Sequence, residues 1–142
     1  MFLLDTVVLS ELRKRRRDPG VAAWIGRQRT ADLFLSVVTI GEIERGIALM
    51  RARDSRFADA LAAWLDRVLA LYGDRIAPFD LPAARRWGRL AAATGNDGAD
   101  LMIAATALEH GLTVVTRNVA DFAPAGVPTL NPFAPPPRRR RR

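Results

Sequence analysis

The sequence predicts an α/β fold with a parallel sheet, in a single domain. Short apolar runs alternate with longer segments in which apolar residues recur every three or four positions, as in strand–helix–strand units. Hydrophobic residues make up 49% of the chain, which is enough for a buried core. The length of 142 residues also fits one domain.

The N-terminal half is predicted to contain strands and helices in alternation. In chain order they are a strand at 2–4, helices at 8–15 and 21–29, a strand at 33–38, and helices at 39–50 and 58–72. Both strands are apolar runs too short for helices, and an Asp-Pro-Gly sequence at 18–20 separates the first two helices. The helix at 58–72 has the clearest apolar face, because Leu61, Trp64 and Leu65 follow helical spacing.

The C-terminal half is predicted to continue this alternation. In chain order it has a strand at 75–79, a helix at 82–93, a loop at 95–98, a helix at 99–109, a strand at 112–116, a turn at 118–122 and a strand at 127–130. Pro82 marks the start of one helix, and His110-Gly111 marks the end of the next. We assign residues 1–133 to the folded domain and the Pro- and Arg-rich segment 134–142 to a disordered tail.

The composition excludes several kinds of site. Because the chain has no cysteine, it can form neither disulfides nor thiolate metal sites, and it has no cysteine nucleophile. His110 is the only histidine, so a His-rich metal site is excluded and a Ser–His–Asp site could use no other base. A bound metal ion would therefore need oxygen ligands, which suit Mg²⁺ or Mn²⁺.

Much of the positive charge lies at the C-terminus. The formal net charge is +7, and the run Arg138–Arg142 supplies five of these charges, which leaves 7 − 5 = +2 for the rest of the chain. Two interpretations of the arginine tail stay open. It binds nucleic acid by neutralising phosphates, or it is a solvated tail, native or added to the protein.

We expect a cytoplasmic protein without membrane contact. The N-terminal sequence Met-Phe-Leu-Leu-Asp lacks the basic region that begins a signal peptide. No run approaches the roughly 20 apolar residues that span a membrane.

Acidic residues are predicted at the ends of strands and the beginnings of helices. They are Asp5, Glu42, Asp100 and Asp121. The carboxyl ends of parallel strands open onto one crevice, where a divalent cation would offset the repulsion between clustered carboxylates. The alternative is that Asp5, Asp97 or Asp100 simply caps a helix, which is the commoner role of a single acid at such a place. Glu42 fits that alternative least, because it interrupts the apolar and small-residue stretch at 37–43.

Four segments, in this order, resemble one known family. They are LLDTVVLSELRK, SVVTIGEIERGI, ADLMIAATALEHGLTVVTRNVADF and NPF, ending at Phe133. They are similar to PIN-domain ribonuclease toxins of the VapC type, in the FitB-like branch, from type II toxin–antitoxin systems. The resemblance implies a Rossmann-like three-layer α/β/α fold with a short, mostly parallel sheet. It also implies a metal-dependent endoribonuclease that cuts structured RNA such as tRNA or ribosomal RNA, a cognate antitoxin and a homodimer.

The resemblance also assigns roles to individual residues. Asp5, Glu42, Asp100 and Asp121 match the acidic quartet of the family, and Thr6, Thr116 and Asn118 match its polar support positions. We expect Asp5, Asp100 and Asp121 to hold Mg²⁺ or Mn²⁺, and Glu42 to orient the attacking water. Apart from the resemblance, five arginines are candidates for contacts with RNA phosphates, and the alternative for each of them singly is a solvated surface residue: Arg13, Arg15, Arg16, Arg17 and Arg117.

The chain departs from the family pattern at two positions. Val7 stands where asparagine is usual, which predicts weaker support of Asp5, and Gly98 stands where proline or an apolar residue is common. A second hypothesis is therefore a non-catalytic RNA-binding, toxin-like module with a decayed metal site. Metal-dependent turnover distinguishes the two hypotheses. A separate hypothesis places a dimer or antitoxin contact on the helix at 58–72, around Trp64; core packing is the alternative for most of its side chains.

Other phosphate chemistries lack the residues they need. No second aspartate stands two positions after Asp5, as phosphatases of the haloacid-dehalogenase type require. Lys14 is the only lysine, so a response-regulator receiver site lacks its lysine after a late strand. Neither a P-loop nor a Gly-x-Gly-x-x-Gly motif occurs.

Overall fold

A five-stranded parallel sheet is the centre of the computed structural model, which describes residues 1–135. In chain order the strands are β1 (Phe2–Leu4), β2 (Leu33–Ser36), β3 (Ile76–Ala77), β4 (Thr113–Val115) and β5 (Thr129–Leu130). Their order across the sheet is β3-β2-β1-β4-β5, and every neighbouring pair is parallel. The first strand therefore lies in the middle, where the sheet is most buried.

Helices connect the strands and cover the sheet. They are α1 (Thr6–Arg13), α2 (Pro19–Arg27), α3 (Val37–Arg51), α4 (Ser55–Tyr72), α5 (Leu81–Thr94), α6 (Ala99–His110) and α7 (Val119–Phe122). Short 3-10 turns lie at Thr30–Asp32, Gly73–Arg75 and Ala123–Ala125. Within residues 1–135, no helix is both long enough and apolar enough to cross a membrane.

Two separate cores lie on the two faces of the sheet, because successive residues of a strand point to opposite sides. In the first core, Leu4 and Val115 pack with residues of α1, α2, α3 and α4. In the second core, Leu3 and Val114 pack with residues of α5, α6 and α7. All four strand side chains are fully buried. This arrangement confirms the predicted three-layer α/β/α fold.

The ends of several predicted elements are shifted, and the strand predicted at 75–79 is reduced to β3. Two further differences have an identifiable physical cause. The strand predicted at 33–38 ends at Ser36, because the hydroxyl of Ser36 accepts a hydrogen bond from the N–H of Val38 and caps α3. The turn predicted at 118–122 is instead the helix α7. Phe122 is fully buried in the second core, and the N–H of Asp121 donates to the carbonyl of Asn118, which closes a helical turn.

The C-terminal segment follows β5 back over the surface of α2. The backbone N–H of Ala134 donates to the carboxylate of Asp18 at 2.9 Å, so this residue still contacts the domain. The domain boundary at Phe133 and the disordered tail stay predictions, because residues 136–142 and their arginines lie outside the described part.

Candidate active site

Asp5 lies at the end of the central strand and begins α1. Only 4% of its surface is exposed, and both of its oxygens accept hydrogen bonds. Oδ1 accepts from the N–H of Thr6 at 2.8 Å, and Oδ2 accepts from the hydroxyl of Thr116 at 2.8 Å. Asp5 therefore caps α1 with one oxygen, while the other oxygen is bonded to a residue that follows a different strand.

The parallel register explains this pairing. Leu4 at the end of β1 is opposite Val115 at the end of β4. Asp5 directly follows β1 and Thr116 directly follows β4, so the two residues lie side by side at the same edge of the sheet. The N–H of Asp5 also donates to the carbonyl of Val115 at 2.9 Å, which extends the ladder to the site.

The carboxyl group of Asp5 is unusually basic. Burial raises its pKa from 3.8 to about 6, although the hydrogen bonds from Thr116 and Thr6 act in the opposite direction. The negative charges of Asp100 and Glu42 are smaller contributions to the same increase in pKa. A carboxylate in this position is poorly compensated by the protein itself, which favours the approach of a cation.

Glu42 is held at the site by a hydroxyl group. The hydroxyl of Thr6 donates to Oε1 of Glu42 at 2.8 Å, and the hydroxyl oxygen of Thr39 lies 3.2 Å from the same Thr6 oxygen. Thr39 is fully buried and stands one helical turn before Glu42 in α3. The sequence analysis did not single out Thr39; its spacing of three residues from Glu42 was the available signal.

Asp100 and Asp121 complete the acidic group. Asp100 is half-buried in the first turn of α6, and Asp121 is exposed in α7. Burial raises the pKa of Asp100, and the charges of Asp121 and Glu42 raise it further. Because Glu42 acts electrostatically on both Asp5 and Asp100, the predicted quartet lies in one region.

The acidic group has no basic partner within residues 1–135. The four ion pairs in this part of the chain use other acids, namely Glu11, Asp32, Asp59 and Glu109. In the same range, no three acidic or histidine side chains are close enough together to hold one metal ion as a preformed group. Asp5 and Glu42 are each held by a threonine hydroxyl, but the four carboxylates do not converge closely enough to surround one ion.

Thr116 and Asn118 are linked to the site in different ways. The hydroxyl of Thr116, which is fully buried, accepts from the backbone N–H of Asn118 at 3.0 Å while donating to Asp5. Asn118 thus orients Thr116 through its main chain; its side chain is exposed and does not cap α7.

The two departures from the family pattern have clear structural settings. Val7 is half-buried and packs against the first core, and both oxygens of Asp5 have donors without any contribution from residue 7. Gly98 begins α6 without a side-chain cap, and its N–H donates to Oδ1 of Asn96 at 2.9 Å. Asp97 is exposed, so nothing in its setting marks it as part of the site.

A PIN domain family model matches residues 2–123 of the chain. The protein therefore belongs to the PIN domain family, and the matched range includes the whole acidic group. Its relatives include VapC ribonuclease Y4jK of Sinorhizobium fredii, which is 40% identical over 142 residues, 95% of this chain and 99% of the relative. Toxin FitB of Neisseria gonorrhoeae is 35% identical over 139 residues, 94% of this chain and 99% of the relative.

Solved structures show the same similarity. The structure of FitAcB from Neisseria gonorrhoeae superposes with a TM-score of 0.81 at 36% identity, covering 93% of this chain and 98% of that chain. The structure of FitAB bound to IR36 DNA has a TM-score of 0.74 at 31% identity, covering 98% and 100%. The resemblance noted in the sequence is thus confirmed at the level of the VapC- and FitB-type branch.

Proposed function

We propose that this protein is an endoribonuclease toxin that hydrolyses RNA phosphodiester bonds with the help of Mg²⁺ or Mn²⁺. The observation that supports this most directly is the buried carboxylate of Asp5, which has two hydrogen-bond donors, neighbouring acids and no ion-pair partner within residues 1–135. Relatives named as VapC ribonucleases support the reaction class. Structured RNA such as tRNA or ribosomal RNA is the proposed substrate.

The donor set fits a hard divalent cation, because it consists of carboxylate and hydroxyl oxygens. Asp5, Asp100 and Asp121 would hold the ion, and binding would require the less buried carboxylates to turn towards Asp5. The chemistry that such an ion supplies, when bound, is activation of water and stabilisation of negative charge on the phosphate.

The chain itself provides the orientation of the reacting groups. The hydroxyl of Thr6 fixes one oxygen of Glu42, so the other oxygen is available to orient the attacking water. The water oxygen forms a bond to phosphorus as the bond between phosphorus and the 3′ oxygen breaks; the proton that the water loses to solvent is balanced by the proton that the 3′ oxygen takes up from it. Thr116 keeps the Asp5 carboxylate in one orientation during hydrolysis.

A cognate antitoxin is the proposed protein partner, since the similar Neisseria structures are FitAcB and FitAB complexes. An apolar groove of about 360 Å³ lies between α1, α2 and α4 and is a suitable docking surface. Leu12, Ile25, Trp64 and Leu71 are among the residues that line it. Trp64 is half-buried, so one part of it packs on the core while another faces the groove. We also propose a homodimer.

The test is cleavage of total cellular RNA by purified, antitoxin-free protein with Mg²⁺, with Mn²⁺ or with EDTA. Discrete fragments that require both the metal and Asp100, as judged with Asp100→Asn, are the expected result. Cleavage that persists in Asp5→Asn and Asp100→Asn proteins would contradict the assignment. RNA binding without turnover under either metal would favour the non-catalytic module instead.

The docking of the antitoxin has its own test. Trp64→Ala should weaken association with the co-expressed antitoxin more than it lowers thermal stability. A variant that loses stability but associates normally would show that Trp64 serves the core alone.

A further inference from the structure

A second cavity opens where the C-terminal segment crosses the N-terminus of α2. Its volume is about 800 Å³, within the range of roughly 300–1,000 Å³ that is usual for small-ligand sites. It is lined by Asp18, Pro19, Arg117 and the segment after β5, including Phe133. Arg117 directly follows Thr116, which binds Asp5, so the chain runs from the acidic group to this cavity within one residue.

Arg117 and Phe133 form a stacked pair at this cavity. The guanidinium carbon of Arg117 lies 4.3 Å from the centroid of the Phe133 ring. Arg117 is exposed and belongs to no ion pair of residues 1–135. The ring covers one side of the guanidinium group. The opposite side of the group suits a stacked nucleobase, and its N–H groups suit a phosphate.

The Phe133 ring is held by a network around Asp18. Oδ1 of Asp18 accepts from the N–H groups of Gly20 at 2.9 Å, Val21 at 3.1 Å and Ala134 at 2.9 Å. The bond from Ala134 is the largest cause of the lowered pKa of Asp18. The N–H of Phe133 donates to Oδ1 of Asn131 at 3.0 Å, so the segment on both sides of the ring is fixed.

Gly20 permits this close contact. A Cβ at this position would lie 2.5 Å from the backbone nitrogen of Ala134 and 2.5 Å from the carbonyl oxygen of Pro132. The C-terminal segment is thus seated against the α2 backbone as part of the domain. Phe133 also packs against the first core.

Positive charge continues beyond the cavity along the chain. Arg13, Lys14 and the three arginines at 15–17 directly precede Asp18 and line a neighbouring open cavity of about 630 Å³. Glu11 secures this loop, because its carboxylate accepts from the N–H of Asp18 at 2.9 Å and pairs with Lys14 at 2.8 Å. A strand passing from the acidic group over Arg117 would therefore meet further cations.

We propose that the Arg117–Phe133 pair is a binding subsite for a nucleotide that flanks the cleaved phosphate in an unpaired stretch of the structured RNA. This inference rests on the proposed ribonuclease function. Arg117 binds the flanking phosphate through its N–H edge and supports the base on its open face. Phe133 is a positioning residue that keeps the guanidinium plane in place.

The test measures RNA binding apart from cleavage. Binding of a fluorescein-labelled single-stranded RNA of about 12 nucleotides is followed by anisotropy in EDTA, in the full-length Asp100→Asn protein. Arg117→Ala should weaken binding about tenfold, and Arg117→Lys should recover only part of the loss, because lysine keeps the charge without the plane. Phe133→Leu, which keeps an apolar side chain against the core, should weaken binding to a smaller degree.

Arg85→Ala is the matched control, since Arg85 is exposed on α5 in the opposite helix layer and its loss removes the same charge. The subsite is overturned if Arg117→Ala and Arg85→Ala weaken binding equally, if the parent protein does not bind the RNA, or if Arg117→Ala impairs antitoxin association alone. With active protein, Arg117→Ala should raise KM more than it lowers kcat. Binding that depends on Arg117 in a protein that never cleaves RNA would overturn the proposed function while leaving the subsite intact.

Discussion

The hydroxyl of Thr116 donates a 2.8 Å hydrogen bond to Oδ2 of Asp5, although the two residues are 111 positions apart. This bond joins the ends of β1 and β4 at the buried centre of the acidic group. It is also the largest influence that lowers the pKa of Asp5, opposing the effect of burial. Of the two groups that favour the charged form of Asp5, the hydroxyl of Thr116 therefore has a larger effect than the N–H of Thr6.

Replacing Thr116 with valine tests this dependence. Valine preserves the shape of threonine but removes the donor, so Asp5 should become harder to ionise and metal-dependent cleavage should fall by about tenfold to a hundredfold. The free energy of unfolding near neutral pH should fall by about 1–3 kcal/mol, as expected when a buried group loses its partner. Thr116→Ser keeps the hydroxyl and should retain most activity; equal losses in both variants would contradict this role.

The raised pKa of Asp5 predicts a pH dependence of stability. Because its pKa is about 6 in the folded protein and 3.8 ordinarily, the folded state binds the proton more tightly. This group should therefore stabilise the fold below pH 3.8 and lose that contribution as the pH rises to about 6. Over this pH range, in metal-free buffer, the contribution of Asp5 to the free energy of unfolding should fall by about 3 kcal/mol.

Denaturant unfolding of Asp5→Asn beside the parent protein isolates this contribution. The stability of the variant relative to the parent should increase across the same pH range and be constant above it. Asp66→Asn, at an exposed position of α4, should follow the parent. A difference between Asp5→Asn and the parent that does not vary with pH would show that Asp5 titrates normally.

Divalent cations should stabilise the folded protein. Repulsion among Asp5, Glu42 and Asp100 is relieved when a cation binds, so excess Mg²⁺ or Mn²⁺ should raise Tm and EDTA should reverse the rise. At a cation concentration of one hundred times Kd, binding should increase the free energy of unfolding by about 2.7 kcal/mol. Asp100→Asn should lose most of this increase in Tm, whereas the control Asp66→Asn should keep it. An identical increase in both variants would show that the cation binds elsewhere.

Val7 offers a test of how far the family pattern can be transferred. Since Val7 packs against the first core and Asp5 already has two donors, Val7→Asn should lower stability by about 1 kcal/mol. It should not increase cleavage or metal affinity. Comparison with Val7→Ala, which also removes core contacts, separates the polar effect from the packing loss; a gain of activity confined to Val7→Asn would show that asparagine supports the site here too.

The placement of the acids could be predicted from the sequence because it depends on local patterns. An apolar run followed by Asp5, and a helix start near Asp100, fix where each strand ends and each helix begins. The boundary at Ser36 could not be predicted, because the apolar residues continue from β2 into α3 without a change of composition. Only the cap made by the Ser36 hydroxyl shows where the helix starts.

Other features depend on contacts between residues that are distant in the chain. The pairing of Arg117 with Phe133 and the bond from Ala134 to Asp18 have no periodic signal in the sequence. The same holds for α7, where the burial of Phe122 in the second core decides the backbone conformation. These contacts build the cavity at the N-terminus of α2, which is why the sequence predicted the positions of the acids but not this cavity.

Gly20 and Gly26 lie in the same helix and provide a matched pair for the C-terminal segment. A Cβ at Gly20 would lie 2.5 Å from backbone atoms of Pro132 and Ala134, whereas a Cβ at Gly26 meets nothing within 4 Å. Gly20→Ala should therefore destabilise the protein by about 1–3 kcal/mol and release the segment from α2. Gly26→Ala should stabilise the protein by about 0.5–1 kcal/mol, because alanine favours the helix.

Thermal unfolding and limited proteolysis distinguish these two variants. In Gly20→Ala, chymotrypsin should cut more readily after Phe133, while Gly26→Ala should keep the parent pattern. Release of the segment also removes the ring beneath Arg117, so Gly20→Ala should weaken RNA binding as Phe133→Leu does. If Gly20→Ala retains the stability and proteolytic pattern of Gly26→Ala, the segment is not seated against α2 in solution.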